Sequence, residues 1–352
     1  MWSPSGAVCL FRRAARPLEP LAFRVLQPVK RTKRAREPAS RRFATTLNCE
    51  PANVPTARLT PTTTALLIAP PLFWAGNAVL ARALVGDFPP LALSFWRWAL
   101  AFVLITPFAA RAVWQHRSVI RTHFPLLAWT SLLGVGCYNS LQYLALQTST
   151  AVNTTLIGAS GPVITLMVGA AFFSSSVARR RWIGAAISLA GVLWVIARGE
   201  PGNLLRLHFA VGDLIMLAAT LAWSVYTWLL NTRRPPLPLT AFLAVQIGLG
   251  ALMIFPFYLL EWIITQQTPA PTPTNFAALV YVVLLPSLAA YYCWDRGVQR
   301  AGAVLPMYFV NLTPVFAACL SWAWLDDPIG VYHLVGGALI LTGIYLAAEK
   351  NA

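Results

Sequence analysis

The chain has 352 residues, 57% of them hydrophobic and 11% charged, and a mean hydropathy of +0.62. A soluble protein carries about a quarter of its residues as charges, so this composition excludes a soluble globule and indicates a membrane protein. The net charge of +16 would suit a nucleic-acid binder, but the basic residues lie in one terminal segment and in short gaps between apolar runs. That is a membrane-orientation pattern and not a basic face, and it excludes nucleic acid as a partner.

Residues 1–63 hold 12 of the 27 lysines and arginines against three acids, Glu19, Glu37 and Glu50. The segment is rich in Arg, Pro and Ala and has no apolar stretch long enough for a secretory signal. It reads as a disordered cytoplasmic tail; an organellar transit peptide and an upstream extension of the reading frame fit the same composition. Apolar runs follow at roughly 64–85, 91–110, 124–146, 151–173, 182–198, 212–231, 239–260, 275–294, 302–324 and 330–348, each near the length that crosses a hydrocarbon core of about 30 Å. Lipid satisfies no backbone N–H or C=O, and strand-like alternation is absent, so the runs predict helices and not a β-barrel.

Charge sets the expected orientation. With the N-terminus inside, the inner loops carry Arg111, Arg117 and Arg121, then Arg179 to Arg181, Arg233 and Arg234, Arg296 and Arg300, with Lys350 after the last run. Including the tail, 23 of the 27 basic residues fall inside, against Arg198 and Arg206 outside. This bias predicts both termini in the cytoplasm and an even number of spans.

The two halves align in collinear blocks. At an offset of 149, Trp74 meets Trp223, Leu80 meets Leu229, Pro89 meets Pro238 and Pro107 meets Pro256; at 152, Gln147 meets Gln299, Pro162 meets Pro314, Gly184 meets Gly336 and Gly191 meets Gly343. Five runs per half is an odd number, so the second half must enter from the opposite side. The expected fold is therefore an all-α integral membrane protein of ten transmembrane helices, built as two inverted five-helix repeats over residues 64–200 and 210–349. Inverted repeats are a transporter architecture, with the substrate near the midplane between them.

Arg97 is the most exposed expectation. It lies about 9 Å into its run at 1.5 Å per residue, too deep for easy snorkelling, and an intramembrane cation is a functional candidate. It is expected to face a water-filled outer cavity and bind an anionic group of the substrate; its repeat partner is Gln246. Arg82, at the end of the first run, can snorkel to the interface. Trp74, Asn77, Trp223 and Tyr226 occupy matched positions in runs one and six. Tyr138, Asn139, Gln142, Tyr143, Tyr291, Tyr292 and Trp294 lie in runs three and eight. From this set, with Asn311, the substrate-contact candidates are Arg97, Trp74, Asn77, Tyr138, Asn139, Gln142, Trp223, Tyr226, Tyr291 and Asn311. Pro162 and Pro314 are candidate helix breaks, and matched breaks point to a binding site. Asn153 flanks one of them, to satisfy freed backbone or meet ligand. Asp295 is expected to pair with Arg296, Arg300 or water at the interface, with a proton relay as the alternative role. The cysteines (Cys9, Cys49, Cys137, Cys293, Cys319) and histidines (His116, His123, His208, His333) form no metal-ligand spacing, and no phosphate-binding loop occurs, so no metal, cofactor or direct ATP coupling is expected.

The stretch Leu72-Phe73-Trp74-Ala75-Gly76-Asn77, Pro89-Pro90 followed by Phe95-Trp96-Arg97, the paired Gly184…Gly191 and Gly336…Gly343, and Tyr291-Tyr292-Cys293-Trp294-Asp295 resemble the EamA-type branch of the drug/metabolite transporter superfamily over residues 64–348. One departure stands out: acids commonly follow the fourth and ninth spans in that family, but here Asp326-Asp327 follow the ninth and Ser174-Ser175-Ser176 the fourth. The resemblance implies a ten-helix carrier that exports amino acids or related metabolites across the cytoplasmic (inner) membrane, with the bilayer and a small molecule as its partners. A sugar-phosphate or nucleotide-sugar carrier would need more fixed cations within the spans than Arg82 and Arg97. An integral membrane enzyme would need clustered acids, histidines or a metal signature, and a non-transporting structural or receptor-like protein, the remaining alternative, has less need of an inverted repeat.

Overall fold

A computed structural model describes residues 59–83, 88–175, 178–206, 208, 210–270, 272–325 and 330–348. Residues 1–58 of the basic segment, Asp326 and Asp327, and the Arg82 side chain lie outside what it describes.

Every regular element among the described residues is helical. In chain order they are α1 (Pro61–Ala83), α2 (Pro90–Gln115), α3 (Arg117–Thr122), α4 (Phe124–Ser131) and α5 (Tyr138–Thr148). Then come α6 (Ala151–Ala159), α7 (Gly161–Phe172), α8 (Arg179–Ile196), α9 (Val211–Arg233) and α10 (Leu239–Thr265). The last are α11 (Pro273–Val282), α12 (Ala290–Ala301), α13 (Leu305–Val310), α14 (Thr313–Leu325) and α15 (Val331–Ala348). Wider π-type turns, Leu132–Cys137 and Val283–Ala289, join α4 to α5 and α11 to α12, and a short 3-10 helix, Pro201–Arg206, lies between α8 and α9.

Local chemistry explains the starts. Pro90 occupies the first turn of α2, where a missing N–H costs nothing. The Thr150 and Thr272 hydroxyls accept from the N–H groups of Asn153 and Asn275, each satisfying an orphan donor. The free N–H groups of Leu91 and Ala92 donate to the two carboxylate oxygens of Glu261, on α10, at 3.0 and 2.8 Å. A negative group there also complements the helix dipole.

Five helices are long and apolar enough to cross a membrane: Pro90–Gln115, Val211–Arg233, Leu239–Thr265, Pro273–Ala301 and Val331–Ala348. A sixth is reached if the bent pair Asn153–Ala159 and Gly161–Phe172 counts as one span. Helix also covers the remaining apolar runs, as α1, α4 with α5, α8, and α13 with α14.

Packing follows a matched scheme. α1 packs on α12 and α14, and α9, its counterpart 149 residues on, packs on α5 and α7. α2 packs on α10, and α8 on α15. The α8–α15 contact is set by glycine. A Cβ on Gly184 would stand 2.8 Å from the carbonyl oxygen of Gly343, and one on Gly191 would stand 2.7 Å from that of Gly336. Since Gly184 aligns with Gly336 and Gly191 with Gly343 in sequence, exchanging the aligned segments maps one contact onto the other.

Polarity is inverted relative to a soluble protein. Phe108 is 80% exposed, Ile264 71% and Leu252 66%, while Ser94, Arg97, Gln246, Ser287 and Asp295 have no exposed surface. An apolar exterior of this extent needs a non-aqueous surround. One aromatic core, around Trp98, Trp223, Tyr226, Tyr291 and Trp294, joins α2, α9 and α12.

Candidate functional site

The π turn Val283–Ala289 creates the central acceptors. Pro286 has no N–H, so the carbonyl of Val282 loses its helical donor, and the Ser287 hydroxyl donates to it at 2.7 Å. The Ala290 N–H reaches the carbonyls of Leu285 and Ser287, bypassing that of Pro286. Thus the Ser287 oxygen and the Pro286 carbonyl are free to accept from elsewhere, and Arg97 takes both.

Arg97 is fully buried. Its Nε donates to Ser287 Oγ at 2.6 Å and its Nη2 to the Pro286 carbonyl at 3.0 Å. Its Nη1 donates to Asn139 Oδ1 at 2.9 Å and to the Tyr143 hydroxyl at 3.0 Å. The guanidinium carbon lies 4.9 Å from the centroid of the Trp98 ring. A guanidinium has five N–H donors; these bonds use four and leave one on Nη2.

The next layer continues outward from the cation. The Asn139 amide donates to the Tyr291 hydroxyl at 3.3 Å, which donates in turn to the carbonyl of Gly134. The Tyr143 hydroxyl donates to Asn77 Oδ1 at 3.3 Å. The Trp74 indole N–H shares the Pro286 carbonyl at 3.1 Å. Gly134 lies in the other π turn, 152 residues before Pro286. Matched wide turns therefore present matched carbonyls to the site, one in each half.

Every acceptor around Arg97 is neutral, so its charge is dispersed but not cancelled. Beside it is an aromatic box centred on Trp223. Ring centroids lie 5.5 Å away for Trp74, 5.1 Å for Trp294, 4.8 Å for Tyr138, 5.0 Å for Tyr226 and 5.6 Å for Tyr291. Among the described residues the indole N–H groups of Trp98 and Trp294 are buried with no hydrogen-bond partner. The site is rich in donors and short of acceptors, which suits an anion-bearing ligand with an apolar or aromatic body.

Of the sequence candidates, Arg97, Trp74, Asn77, Tyr138, Asn139, Trp223, Tyr226 and Tyr291 come together here. Gln142 is half-buried on α5, outside this network. Asn311 lies apart, in the break between α13 and α14, where its amide donates to Ser188 on α8 at 2.8 Å. Pro162 falls in the first turn of α7, after a 42° bend, and Pro314 in the first turn of α14. The expected open outer cavity is not present at Arg97 in this conformation, because the side chain has no exposed surface. Asn153 meets the backbone, donating to the His208 carbonyl at 2.9 Å, and also donates to Asp213 at 3.1 Å. Asp295 also departs from expectation: Arg234 meets it at 3.2 Å, and not Arg296 or Arg300. Arg234 follows α9, whose close packing on α12 brings the two together. Tyr292 is 44% exposed and faces away. Sequence reasoning missed Ser287 and the Pro286 carbonyl; the available signal was a proline inside an apolar run, aligned with a glycine.

Apolar helices long enough to cross a bilayer, wrapped around buried polar side chains, define a multi-pass membrane protein of the helical class. The profile of the EamA-like transporter family matches residues 62–197 and again 210–348. The chain belongs to that family. It is 24% identical over 288 residues to the uncharacterized transporter YyaM of Bacillus subtilis, covering 80% of this chain and 92% of that one. It is 24% identical over 297 residues to a "probable amino-acid metabolite efflux pump" of Salmonella typhimurium, covering 80% of this chain and 92% of the relative. A crystal structure with TM-score 0.65 and 22% sequence identity covers 82% of this chain and 96% of its own, and shares the fold.

Proposed function

We propose that the protein is a secondary carrier that exports small carboxylate-bearing metabolites, amino acids or close relatives, across the cytoplasmic membrane. The observation that carries this reading is Arg97, a buried guanidinium held by neutral acceptors, with one N–H uncommitted, beside an aromatic box. A carboxylate would complete its charge balance, and the planar fork matches carboxylate geometry. The Salmonella relative's name points to the same class of solute.

The reading has ten membrane-crossing helices in two inverted five-helix repeats, over residues 64–200 and 210–349, with both termini in the cytoplasm. Its support is the exchange-symmetric packing of α1 with α12 and α14 against α9 with α5 and α7, and the paired glycine contacts of α8 and α15. Two related halves closing over one central site can alternate access to it. In this reading the arginine-rich loops, with Arg181, Arg234 and Arg296, lie at the cytoplasmic end.

Counterflow in proteoliposomes tests the function. A panel of amino acids, their amides and sugar phosphates is offered to the purified full chain. Exchange of the carboxylates with neither amides nor phosphates supports the reading. Exchange of sugar phosphates alone would move the protein to the nucleotide-sugar side of its superfamily. Reporter fusions after Ser118 and Pro235 should report cytoplasm, and those after Asn203 and Thr268 the opposite face.

A further inference from the structure

The carrier reading leaves one buried pair of charges without a task. Arg234 and Asp295 meet at 3.2 Å at the arginine-rich end of the bundle, Arg234 19% exposed and Asp295 not at all. Among the described residues, neither carboxylate oxygen has a hydrogen-bond partner, nor do Nε and Nη2 of Arg234. Charge and position alone hold the contact. The chain on either side is closed in: Leu230, one turn before Arg234, and Trp294 and Val298, flanking Asp295, are buried, and the Gln299 amide bonds the Leu230 carbonyl at 2.7 Å.

Among the described residues, few other charged or titratable groups act on Asp295. Arg296 on its own helix and Tyr226 on α9 interact with it electrostatically. Tyr308, on α13, turns its hydroxyl to the carbonyl of Arg181 instead. α1 brings Leu67 against Gly297, and α10 brings Phe242 beneath Arg234. Glu261, also on α10, is committed to capping α2.

We propose that Asp295 is a proton-binding site, with Arg234 as its latch, that couples opening of the cytoplasmic end to proton uptake; the inference rests on the carrier reading. The bodies that move are then the two packed groups, α12 with α1 and α14 against α9 with α5 and α7, so opening that end parts α9 from α12 and with them the two charges. A buried carboxylate that loses its counter-charge costs several kcal/mol. Binding one proton, COO⁻ plus H⁺ giving COOH, removes that cost, and Arg234 reaches water along its flexible stem. Releasing the proton restores the pair and closes the end. A proton that binds the open form better must shift the equilibrium toward it. The counterpart of Asp295 in the first repeat is Tyr143, bound to Arg97. The matched position in the first repeat thus carries no acid.

The test is thiol accessibility, which needs no transported solute. In a background with all five native cysteines replaced by serine, Val298→Cys places a buried thiol one turn beyond Asp295. Labelling by N-ethylmaleimide is normalised to the exposed reporter Leu205→Cys, which cancels the pH dependence of the thiolate itself. Normalised labelling should rise roughly tenfold from about pH 8 to about pH 5.5. With Asp295→Asn it should be high and flat. A flat parent profile, or Asp295→Asn retaining the parent's profile, overturns the proposal. If Asp295→Asn does not fold, Arg234→Gln decides: the transition should move to higher pH, and an unmoved transition overturns it. If labelling behaves as expected while no solute exchanges, the carrier reading has failed and the proton site stands. Solute exchange with flat labelling means the reverse.

Discussion

Arg97 and Arg234 are both guanidinium groups drawn into the helical bundle, yet their surroundings differ in kind. Arg234 faces a carboxylate, with Nε and Nη2 making no hydrogen bond. Arg97 has hydrogen bonds to Ser287, Pro286, Asn139 and Tyr143 and no carboxylate among them. One site has charge balance without directional bonding, the other directional bonding without charge balance. In the proposed carrier, the difference separates a contact that two helices make and break from a seat that is preorganised for an anion. Preorganised donors that a protein leaves uncancelled are what a ligand's charge completes.

The most severe way to break the comparison is to give Arg97 an acid of its own. Asn139→Asp places a carboxylate where the amide oxygen now accepts at 2.9 Å. The protein should fold, with thermal stability equal or higher, while carboxylate exchange falls on the order of a hundredfold or more, an internal anion having taken the substrate's place. Unchanged exchange would mean the anion site lies elsewhere.

Breaking the other pair should act on stability. Arg234→Leu strands a buried carboxylate and should cost about 3–5 kcal/mol. Arg234→Leu with Asp295→Leu should recover most of it, because apolar replacement of a buried pair is often close to neutral. Thermal unfolding of the purified variants reads both. A double variant as unstable as the single one would show that the pair does more than balance charge.

Smaller effects sharpen the picture. Trp294→Phe removes an indole N–H that has no partner. Stability should change little, and apparent affinity for a carboxylate solute should weaken by roughly threefold to tenfold if the ligand accepts from it, about the value of one hydrogen bond. Glu261→Gln weakens only the cap of α2 and should lower stability by about 1 kcal/mol with substrate affinity unchanged.

Much of this was legible in the sequence because it follows from hydropathy and from rules of few residues. The apolar runs mark the helices. The depth of Arg97 marks it as costly, and the alignment of Trp74 with Trp223 brings both into one box. What escaped was structure made by departures from the regular helix. Pro286 in an apolar run reads as a kink, and nothing local says that its carbonyl and the Ser287 hydroxyl turn toward an arginine on another helix. Asp295 stands beside Arg296 in sequence, so the near cation looked like the partner; helix packing supplied Arg234 instead. Glu261 is similar, a carboxylate at the end of one helix that caps the start of another. Asn311 shows the converse, a polar side chain in a run that binds Ser188 rather than joining the site.

The central claim is that Arg97 binds the anionic group of the solute, and Arg97→Gln tests it most directly. The substitution copies the residue at the aligned position, Gln246, and removes the charge while keeping hydrogen-bonding capacity. Counterflow of the parent and of Arg97→Gln is measured in proteoliposomes at matched membrane abundance, with Arg97→Lys alongside. The account predicts that Arg97→Gln is present in the membrane but loses carboxylate exchange by about a hundredfold or more, and that Arg97→Lys is partly active, since an ammonium lacks the planar fork. Carboxylate exchange by Arg97→Gln at the parent's rate would contradict it.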